Sequence, residues 1–582
     1  MEMIELTIDG KKVKAQKGQT VLEAARAAGV KIPTLCYLKG INEIGACRVC
    51  VVEVEGARSL QASCVLEAVD GMVIKTNSPA VRESRKTTVE LLLSDHKREC
   101  LTCIRNGNCE LQRLAEDLGI RDIQYEGAKA RHPLDDFSPS IIRDPEKCVL
   151  CRRCISACSQ LQGVGIYSVN ERGFNSVVGP AFNESLNDVA CTMCGQCINV
   201  CPVGALSEKE DIDKVWDALA DPDKHVVVQT APAIRVSLGE EFGLEMGSPV
   251  TKKMVAALRR LGFDRVFDTD FTADLTIMEE GHEFLHRLKN GGKLPLITSC
   301  SPGWIKFCEH YYPEFLENLS TCKSPQQMFG ALAKTYYAQK AGIDPEKIFV
   351  VSIMPCTAKK FECQRPEMTD SGYRDVDVVL TTRELGRMLR QAGIDLKTLP
   401  EEEFDEPLGI STGAGAIFGA TGGVMEAALR TVAEVVTGKE LEKIDFEQVR
   451  GVEGIKEATI ELNGTEVKVA VAHGLANAKK LLERVKNGEA EYHFIEVMAC
   501  PGGCVGGGGQ PIVSADVRWE KDYKEVRGKA IYKVDKNMPL RKSHENPAVQ
   551  ALYKEFLGEP LSEKSHHLLH THYTERCKHP KK

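Results

Sequence analysis

Apolar and polar residues alternate through Ile4, Leu6 and Ile8, break at Asp9-Gly10, and alternate again through Val13 and Ala15. A period of two interrupted by Asp-Gly predicts a hairpin over residues 3–17. The next run, TVLEAARAAGV, reads as a helix that Thr20 can cap and that turns Val21, Leu22 and Ala25 to a core. The short runs VVEVEG and MVIKT then close a small mixed-sheet unit, giving a first domain over 1–78. Residues 79–125 are expected to be helical around a second group of cysteines, and 126–209 to form a domain carrying the third and fourth groups. From 210 to 582 the pattern is different. Strand-like runs (HVVVQTAP, RVFDTD, LPLITS, IFVVSIMP, VDVVLTT) alternate with helical ones (KKMVAALRRLGF, IMEEGHEFLHRLK, TRELGRMLRQAG). This predicts an α/β body with crossover helices. ENPAVQALYKEFL reads as one more amphipathic helix, and the tail after it, with His566, His567, His570 and His572, as a solvated face.

At 582 residues the chain is too long for one core. With 43% hydrophobic and 27% charged residues it is an ordinary globular composition, not a disordered one. A net charge of -8 argues against nucleic acid as a partner. There is no run of 18 apolar residues and no apolar leader, so neither a membrane span nor export is expected, and the cytoplasm is the default location.

Cysteine changes the picture. Of 23 cysteines, 15 precede residue 202, in tight groups that a reducing compartment reserves for metals rather than disulfides. The first group is Cys36, Cys47, Cys50 and Cys64. Four thiolates at this spacing hold either [2Fe-2S] or zinc. The surrounding hairpin and helix resemble the plant-type ferredoxin fold, which implies [2Fe-2S], although the spacing departs from the plant-type run. The second group, Cys100, Cys103 and Cys109, has His96 four positions upstream as a candidate fourth ligand, for [4Fe-4S] or structural zinc. The third and fourth are Cys148, Cys151, Cys154, Cys158 and Cys191, Cys194, Cys197, Cys201. This duplicated run followed by Pro202 is the two-cluster bacterial ferredoxin pattern, in which the last cysteine of each run ligates the other cluster. One [4Fe-4S] centre should use Cys148, Cys151, Cys154 and Cys201, and the other Cys191, Cys194, Cys197 and Cys158. Four such centres exceed what is needed to staple 200 residues and imply an electron path ending in the α/β body.

That body has neither a Rossmann G-x-G-x-x-G after a strand nor a P-loop. It has thiols at strand-to-loop junctions instead: Cys300 in TSCSPGW, Cys356 in MPCTAKKFE, and Cys500 and Cys504 in MACPGGCVGGGG. Cys308, Cys322, Cys363 and Cys577 have no complete constellation around them. Cys308 and Cys322 read as buried small hydrophobes, and Cys577 as an exposed thiol.

With the four cysteine groups in this order, these motifs resemble the iron-iron hydrogenases of the large clostridial type over essentially the whole chain. The resemblance implies reversible reduction of protons to H2 with electrons from ferredoxin. It implies an H-cluster, a [4Fe-4S] cubane bridged by a cysteine to a two-iron unit carrying CO, CN and azadithiolate, and maturation proteins that build it. Three alternatives remain: the catalytic subunit of a multimeric NAD(P)-linked or electron-bifurcating enzyme with NAD(P)H-linked partner subunits, a low-turnover H2 sensor, and a noncatalytic electron-transfer subunit like the cluster-bearing chains of respiratory complex I. The last would share the first 210 residues but has no use for the C-x3-C motif.

Carried over by residue, the resemblance makes Cys356, Cys500 and Cys504 cubane ligands, with Cys504 the bridging one. The family has two adjacent cysteines where this chain has Cys300-Ser301. Alignment gives Cys300 the proton-exchanging place and Ser301 the ligand place. Thiolate is the better cubane ligand, so the reverse assignment stays open, as does a cubane short of one protein ligand. Glu280 and Glu283, one helical turn apart with Glu279 beside them, match the family's proton-relay carboxylates, and Ser320 the hydroxyl between them. Lys359 matches a cyanide donor. Ala231, Pro232, Met498 and Phe418 match contacts to the two-iron unit, and Gln326 a pocket wall.

Overall fold

The computed structural model describes residues 2–125, 127–441, 443–462 and 464–578. The predicted hairpin is present as Met3–Ile8 and Lys11–Gln16, paired antiparallel in register Met3 to Gln16. Helix Val21–Ala27 begins in a reciprocal cap. The Thr20 hydroxyl accepts from Glu23 N–H and the Glu23 carboxylate accepts from Thr20 N–H, so two otherwise unpaired donors are satisfied. Its buried face packs on a five-stranded mixed sheet completed by Val73–Lys75, Val51–Val54 and Gln61–Ala62.

Helices Pro79–Asp95 and Glu110–Asp117 follow. Two small antiparallel ladders, Ile141–Arg143 with Leu206–Glu208 and Ser168–Asn170 with Val177–Gly179, frame the third and fourth cysteine groups. The two cysteine runs repeat each other in backbone as well as spacing. Leu150 and Met193 have φ of 52° and 56°, Arg152 and Gly195 have 63° and 70°, and the N–H groups of Leu150 and Met193 each donate to a thiol two residues back, both at 3.4 Å.

The α/β body contains two four-stranded sheets. In the first, Arg265–Asp268, His225–Thr230, Ile348–Met354 and Val378–Thr381 are all parallel. In the second, Leu296–Ile297, Phe494–Met498 and Thr465–His473 are parallel, with Ile455–Leu462 antiparallel at one edge. The strand runs picked out from the sequence account for the first sheet. All of the second except LPLITS lay outside that reading, and LPLITS itself supplies only two strand residues. Ile455–Leu462 is an edge strand with mostly polar or half-exposed positions, so a search for continuous apolar runs passes over it. The 22-residue helix Thr269–Asn290 runs between the sheets' cores with 15 of its residues buried. The tail corrects the sequence reading. His566, His567 and His572 are exposed, but His570 is buried at 4% exposure, drawn in by hydrogen bonds to Glu279 and Thr321.

Candidate active site

Parallel sheets leave their ligand crevices beyond the carboxyl ends of the strands, and here two sheets point those ends at one another. Ala231 and Pro232 follow His225–Thr230, and Pro355 and Cys356 follow Ile348–Met354. From the other sheet, Cys300 and Ser301 follow Leu296–Ile297, and Ala499 and Cys500 follow Phe494–Met498. All eight line one cavity of about 710 Å3, together with Cys504, Lys359, Gln326, Met498 and Phe418. Thr269, Ala273 and Met354 also line it and had no motif to announce them.

The TSCSPGW turn is held on both sides. Thr298 N–H donates to Ile495 carbonyl, its hydroxyl accepts from Val497 N–H at 3.2 Å, and its carbonyl accepts from the Trp304 indole at 3.1 Å. Ser299 hydroxyl donates to Cys322 carbonyl at 2.6 Å. Ser301 Oγ accepts from Ala499 N–H at 3.2 Å, and Pro302 then starts helix Pro302–Tyr311 at a position where its missing N–H costs nothing. The Cys500 to Cys504 loop is tied by His473, whose Nδ1 accepts from Gly502 N–H while Nε2 faces Val452 carbonyl, both at 3.1 Å. Burial, with Lys456 nearby, pulls His473 down to about 4, so the ring is neutral and fit to accept. Gly503, at φ +88°, lies where a Cβ would stand 2.6 Å from Thr421 nitrogen, and only glycine allows the loop to close there.

Burial pushes the thiols of this cavity up, Cys356 to about 11, Cys504 to about 12, and Cys300 and Cys500 well above the usual range. Lys359 is the cation acting on three of them, Cys500 excepted. Several thiols gathered in a dry cavity with one ammonium fit a cluster whose iron supplies the missing positive charge. The side-chain amide oxygen Oε1 of Gln326, buried on the wall without a partner, adds an unmet acceptor. Lys359 Nζ donates to Cys300 carbonyl at 3.2 Å and to Glu362 at 2.9 Å, and Glu362 also accepts from Ser324 and Gln326. Glu362 was overlooked in the sequence, although its position three residues after Lys359 on one helix was a usable sign.

Next to the cavity runs a line of buried carboxylates. Glu280 is 2% exposed. Burial and then the negative charge of Glu283 push it up to about 8, against the opposing Ser320 hydroxyl. Ser320 donates to Glu283 Oε2 at 2.9 Å, and Arg287 at the protein edge donates to Glu283 Oε1 at 2.6 Å. Glu280 is also the leading charged neighbour of the Cys300 thiol. Glu279, the adjacent residue, faces elsewhere. Burial alone would raise it, yet donors from His570, Ser565 and Tyr553 hold it below the ordinary range.

The accessory groups approach one another in a fork. Cys148, Cys151, Cys154 and Cys201 line one cavity of about 440 Å3, and Cys158, Cys191, Cys194 and Cys197 another of about 310 Å3. The first group's thiols perturb one another, with Cys36 drawing Cys47 down to about 6 and Cys64 drawing Cys50 to about 7. This group meets the third through Asn42, which donates to the carbonyls of Cys36 at 2.8 Å and Cys151 at 3.1 Å. In the second group, burial and Lys147 pull His96 to about 4, leaving a neutral ring whose Nδ1 is buried without a partner. Cys103 packs so closely on Gly204 that a Cβ there would be 2.6 Å from its sulfur, and Arg105 donates to Cys201 carbonyl at 3.0 Å. The fourth group adjoins the central cavity. Gln196 donates to Gly506 carbonyl at 2.9 Å, and Thr357, next to Cys356, donates to Met193 carbonyl at 2.7 Å. Cys308, Cys322 and Cys363 are buried, and Cys577 is exposed.

Comparisons with known proteins match this layout. Residues 224–508 match the C-terminal domain of the iron only hydrogenase large subunit, and 521–576 the iron hydrogenase small subunit. Residues 1–79 match a 2Fe-2S iron-sulfur cluster binding domain, 85–124 the NADH-ubiquinone oxidoreductase-G iron-sulfur binding region, and 138–207 the NADH-quinone oxidoreductase subunit 3 ferredoxin-like domain. NADP-reducing hydrogenase subunit HndD of Solidesulfovibrio fructosivorans is 56% identical over 99% of this chain and 100% of its own length. Iron hydrogenase 1 of Clostridium pasteurianum is 44% identical over 98% and 100%. The solved structure of a variant of apo [FeFe]-hydrogenase HydA1 from Chlamydomonas reinhardtii superposes with a TM-score of 0.55 at 46% identity, covering 62% of this chain and 98% of that one. A series of iron-sulfur binding domains thus precedes a large α/β catalytic domain, and the chain belongs to the iron-iron hydrogenase family as a large, multi-cluster catalytic subunit.

Proposed function

We propose that this protein is the H2-handling subunit of a multimeric NAD(P)-linked hydrogenase, interconverting protons and H2 at an H-cluster seated in the cavity between the two sheets. The observation that carries this reading is the meeting of four strand ends around four thiols that line one cavity, directly beside the line Glu280, Ser320, Glu283. Cys356, Cys500 and Cys504 would hold the cubane, with Cys504 bridging. The cofactor, when bound, supplies the redox-active iron at which protons and H2 interconvert. Cys300, beside Glu280, hands protons between the cavity and the carboxylates, and Ser301 offers an oxygen ligand. Glu280, held neutral by burial, exchanges with Glu283 through Ser320, and Arg287 marks the outer end. Lys359, oriented by Glu362, presents an ammonium to the cavity, and Ala231, Pro232, Met498 and Phe418 keep water out.

The five-stranded unit reads as a β-grasp domain for [2Fe-2S] on Cys36, Cys47, Cys50 and Cys64. His96, Cys100, Cys103 and Cys109 read as one [4Fe-4S] site, and the two cavities of the 126–209 domain as two more. Ferredoxin as sole electron donor gives way to NAD(P)H-linked partner subunits, because the relative named NADP-reducing hydrogenase subunit matches along its whole length. All 23 cysteines are unpaired, which suits the reducing cytoplasm. Among the described residues no helix is long and apolar enough to cross a membrane.

Infrared absorption of the matured protein tests the cavity's occupant: bands from metal-bound CO and CN are expected, and their absence would sink the reading. Purification from cells then tests the partners, with co-purifying flavin- or nucleotide-binding subunits and H2-dependent NAD(P)+ reduction expected. In Ser301→Cys, a changed electron paramagnetic resonance signal of the cubane is expected if Ser301 is its ligand. An unchanged signal argues for the reverse assignment of Cys300 and Ser301.

A further inference from the structure

Glu283, at the outer end of the proton line, has a second set of neighbours. It comes from helix Thr269–Asn290, Cys322 from the loop before helix Pro325–Leu332, and His570 from the end of helix Glu563–Leu569. All three are buried, and one ligand atom from each lies within 4.8 Å of the other two. A backbone bridge joins Cys322 to His570, and Cys322 Sγ already stands 3.9 Å from Glu283 Oε2. A carboxylate, a thiol and an imidazole form a donor set suited to zinc, whose bonds of about 2.0 to 2.3 Å put neighbouring donors roughly 3.5 Å apart.

An independent feature favours a metal. Ligating histidines commonly give their other ring N–H to a carboxylate, which fixes ring and tautomer. Glu279 Oε2 takes that place, 3.0 Å from His570 Nε2, and the carboxylate is itself held by Leu561 N–H on Oε2 and by the Ser565 and Tyr553 hydroxyls on Oε1. Nδ1 is left with its lone pair, at present facing the Thr321 hydroxyl at 2.8 Å, which a metal must displace. Arg287 pairs with Glu283 Oε1, and Oε2, the oxygen facing Cys322 Sγ, is the ligating one, which a metal must share with the Ser320 hydroxyl and Thr321 N–H that now donate to it. The exposed ring of His566 stacks on His570 with centroids 4.6 Å apart and offers a landing point at the surface.

We infer that Glu283, Cys322 and His570 form a binding site for a zinc-like divalent cation, and that its occupation stops Glu283 from carrying protons. On binding, the Cys322 thiol loses its proton to bulk water, and thiolate and carboxylate together balance the two positive charges. The metal site stands on geometry alone, whereas the block on protons rests on the relay proposed above.

The test adds zinc chloride to the cluster-loaded holoenzyme. Zinc K-edge absorption should show one sulfur and two or three nitrogen or oxygen neighbours, and H2 evolution should fall at least tenfold. In Cys322→Ala, and separately in His570→Gln, the ratio of activity with and without zinc should return to near one. Using that ratio removes any change in a variant's own basal rate. An all-sulfur shell, a shell without sulfur, or inhibition equally strong in both variants would overturn the site. Zinc held in the mixed shell with H2 evolution undiminished leaves the site standing and overturns the relay through Glu283.

Discussion

In the first 209 residues the cysteines sit on turns and short helices, whereas in the body Cys300, Cys356 and Cys500 come just after the ends of packed strands. The turns carry left-handed residues that have a Cβ, such as Arg48, Leu150, Arg152 and Met193, and strands there run to only three residues near the duplicated clusters. Cys356 follows a strand of seven residues, and the segments carrying Cys300 and Cys500 are tied together by hydrogen bonds from Val497 N–H to the Thr298 hydroxyl and from Ala499 N–H to the Ser301 hydroxyl. The difference is one of cause. Metal is expected to shape the peptide in the first region, whereas the peptide prepares the cavity in the second.

The sharpest way to break this comparison is to remove iron. In protein stripped of iron and sulfide, amide exchange through Cys148 to Cys201 should approach that of unfolded chain, while His225–Thr230 and Ile348–Met354 keep their protection. Equal loss in both regions would show that the body also depends on metal for its shape. Next in size, Glu280→Gln should lower H2 evolution by about 100-fold or more at unchanged iron content, since a relay needs a group that both gains and loses a proton. The same variant should alter the pH dependence of stability. Glu280 is raised from 4.5 to about 8, so the folded state holds a proton the unfolded state has lost, and stability falls as pH rises between these values. Over that window the wild type should lose up to about 1.4 kcal/mol per pH unit from this group, and denaturant titrations of Glu280→Gln should lack that slope.

Glu279→Gln provides the contrast within a single helix. It weakens a buried carboxylate's hydrogen bonds and should cost about 2 to 3 kcal/mol in denaturant melts, with turnover per folded molecule nearly preserved. A turnover loss like that of Glu280→Gln would bring Glu279 into the relay. The smallest effect is expected from His96→Ala. Because the first and second groups both reach the cavity lined by Cys148, Cys151, Cys154 and Cys201, removing the candidate ligand of one arm should erase one cluster's paramagnetic signal while leaving H2 evolution from an artificial donor within about twofold, a rate change of less than about 0.5 kcal/mol. A collapse in rate would mean the arms run in series.

What could be read from the sequence follows the same division. Metal ligands announce themselves by spacing, so both cysteine runs and the C-x3-C motif were visible at once, and the groupings lie around separate cavities. The hairpin at 3–17 and the parallel strands of the first body sheet carried plain periodic or apolar signals. The second sheet was mostly missed because Ile455–Leu462 is half polar and Leu296–Ile297 is two residues long. His570 was misjudged because its partners, Glu279 and Thr321, are more than 240 residues away and no local pattern encodes them. Glu279 and Glu280 look alike in sequence, and only packing gives one of them donors and leaves the other to burial.

The distance along the chain between Glu279 and its partners has a consequence for synthesis. Tyr553, Ser565 and His570 lie 274, 286 and 291 residues after it. At roughly 5 to 20 residues per second, a ribosome adds them tens of seconds after the helix has emerged. During that interval the nascent helix carries a carboxylate meant for burial with none of these side chains to receive it. The catalytic body can therefore close around this helix only late in translation, whereas the cysteine-rich domains, whose ligands all precede residue 202, can take up iron and fold well before.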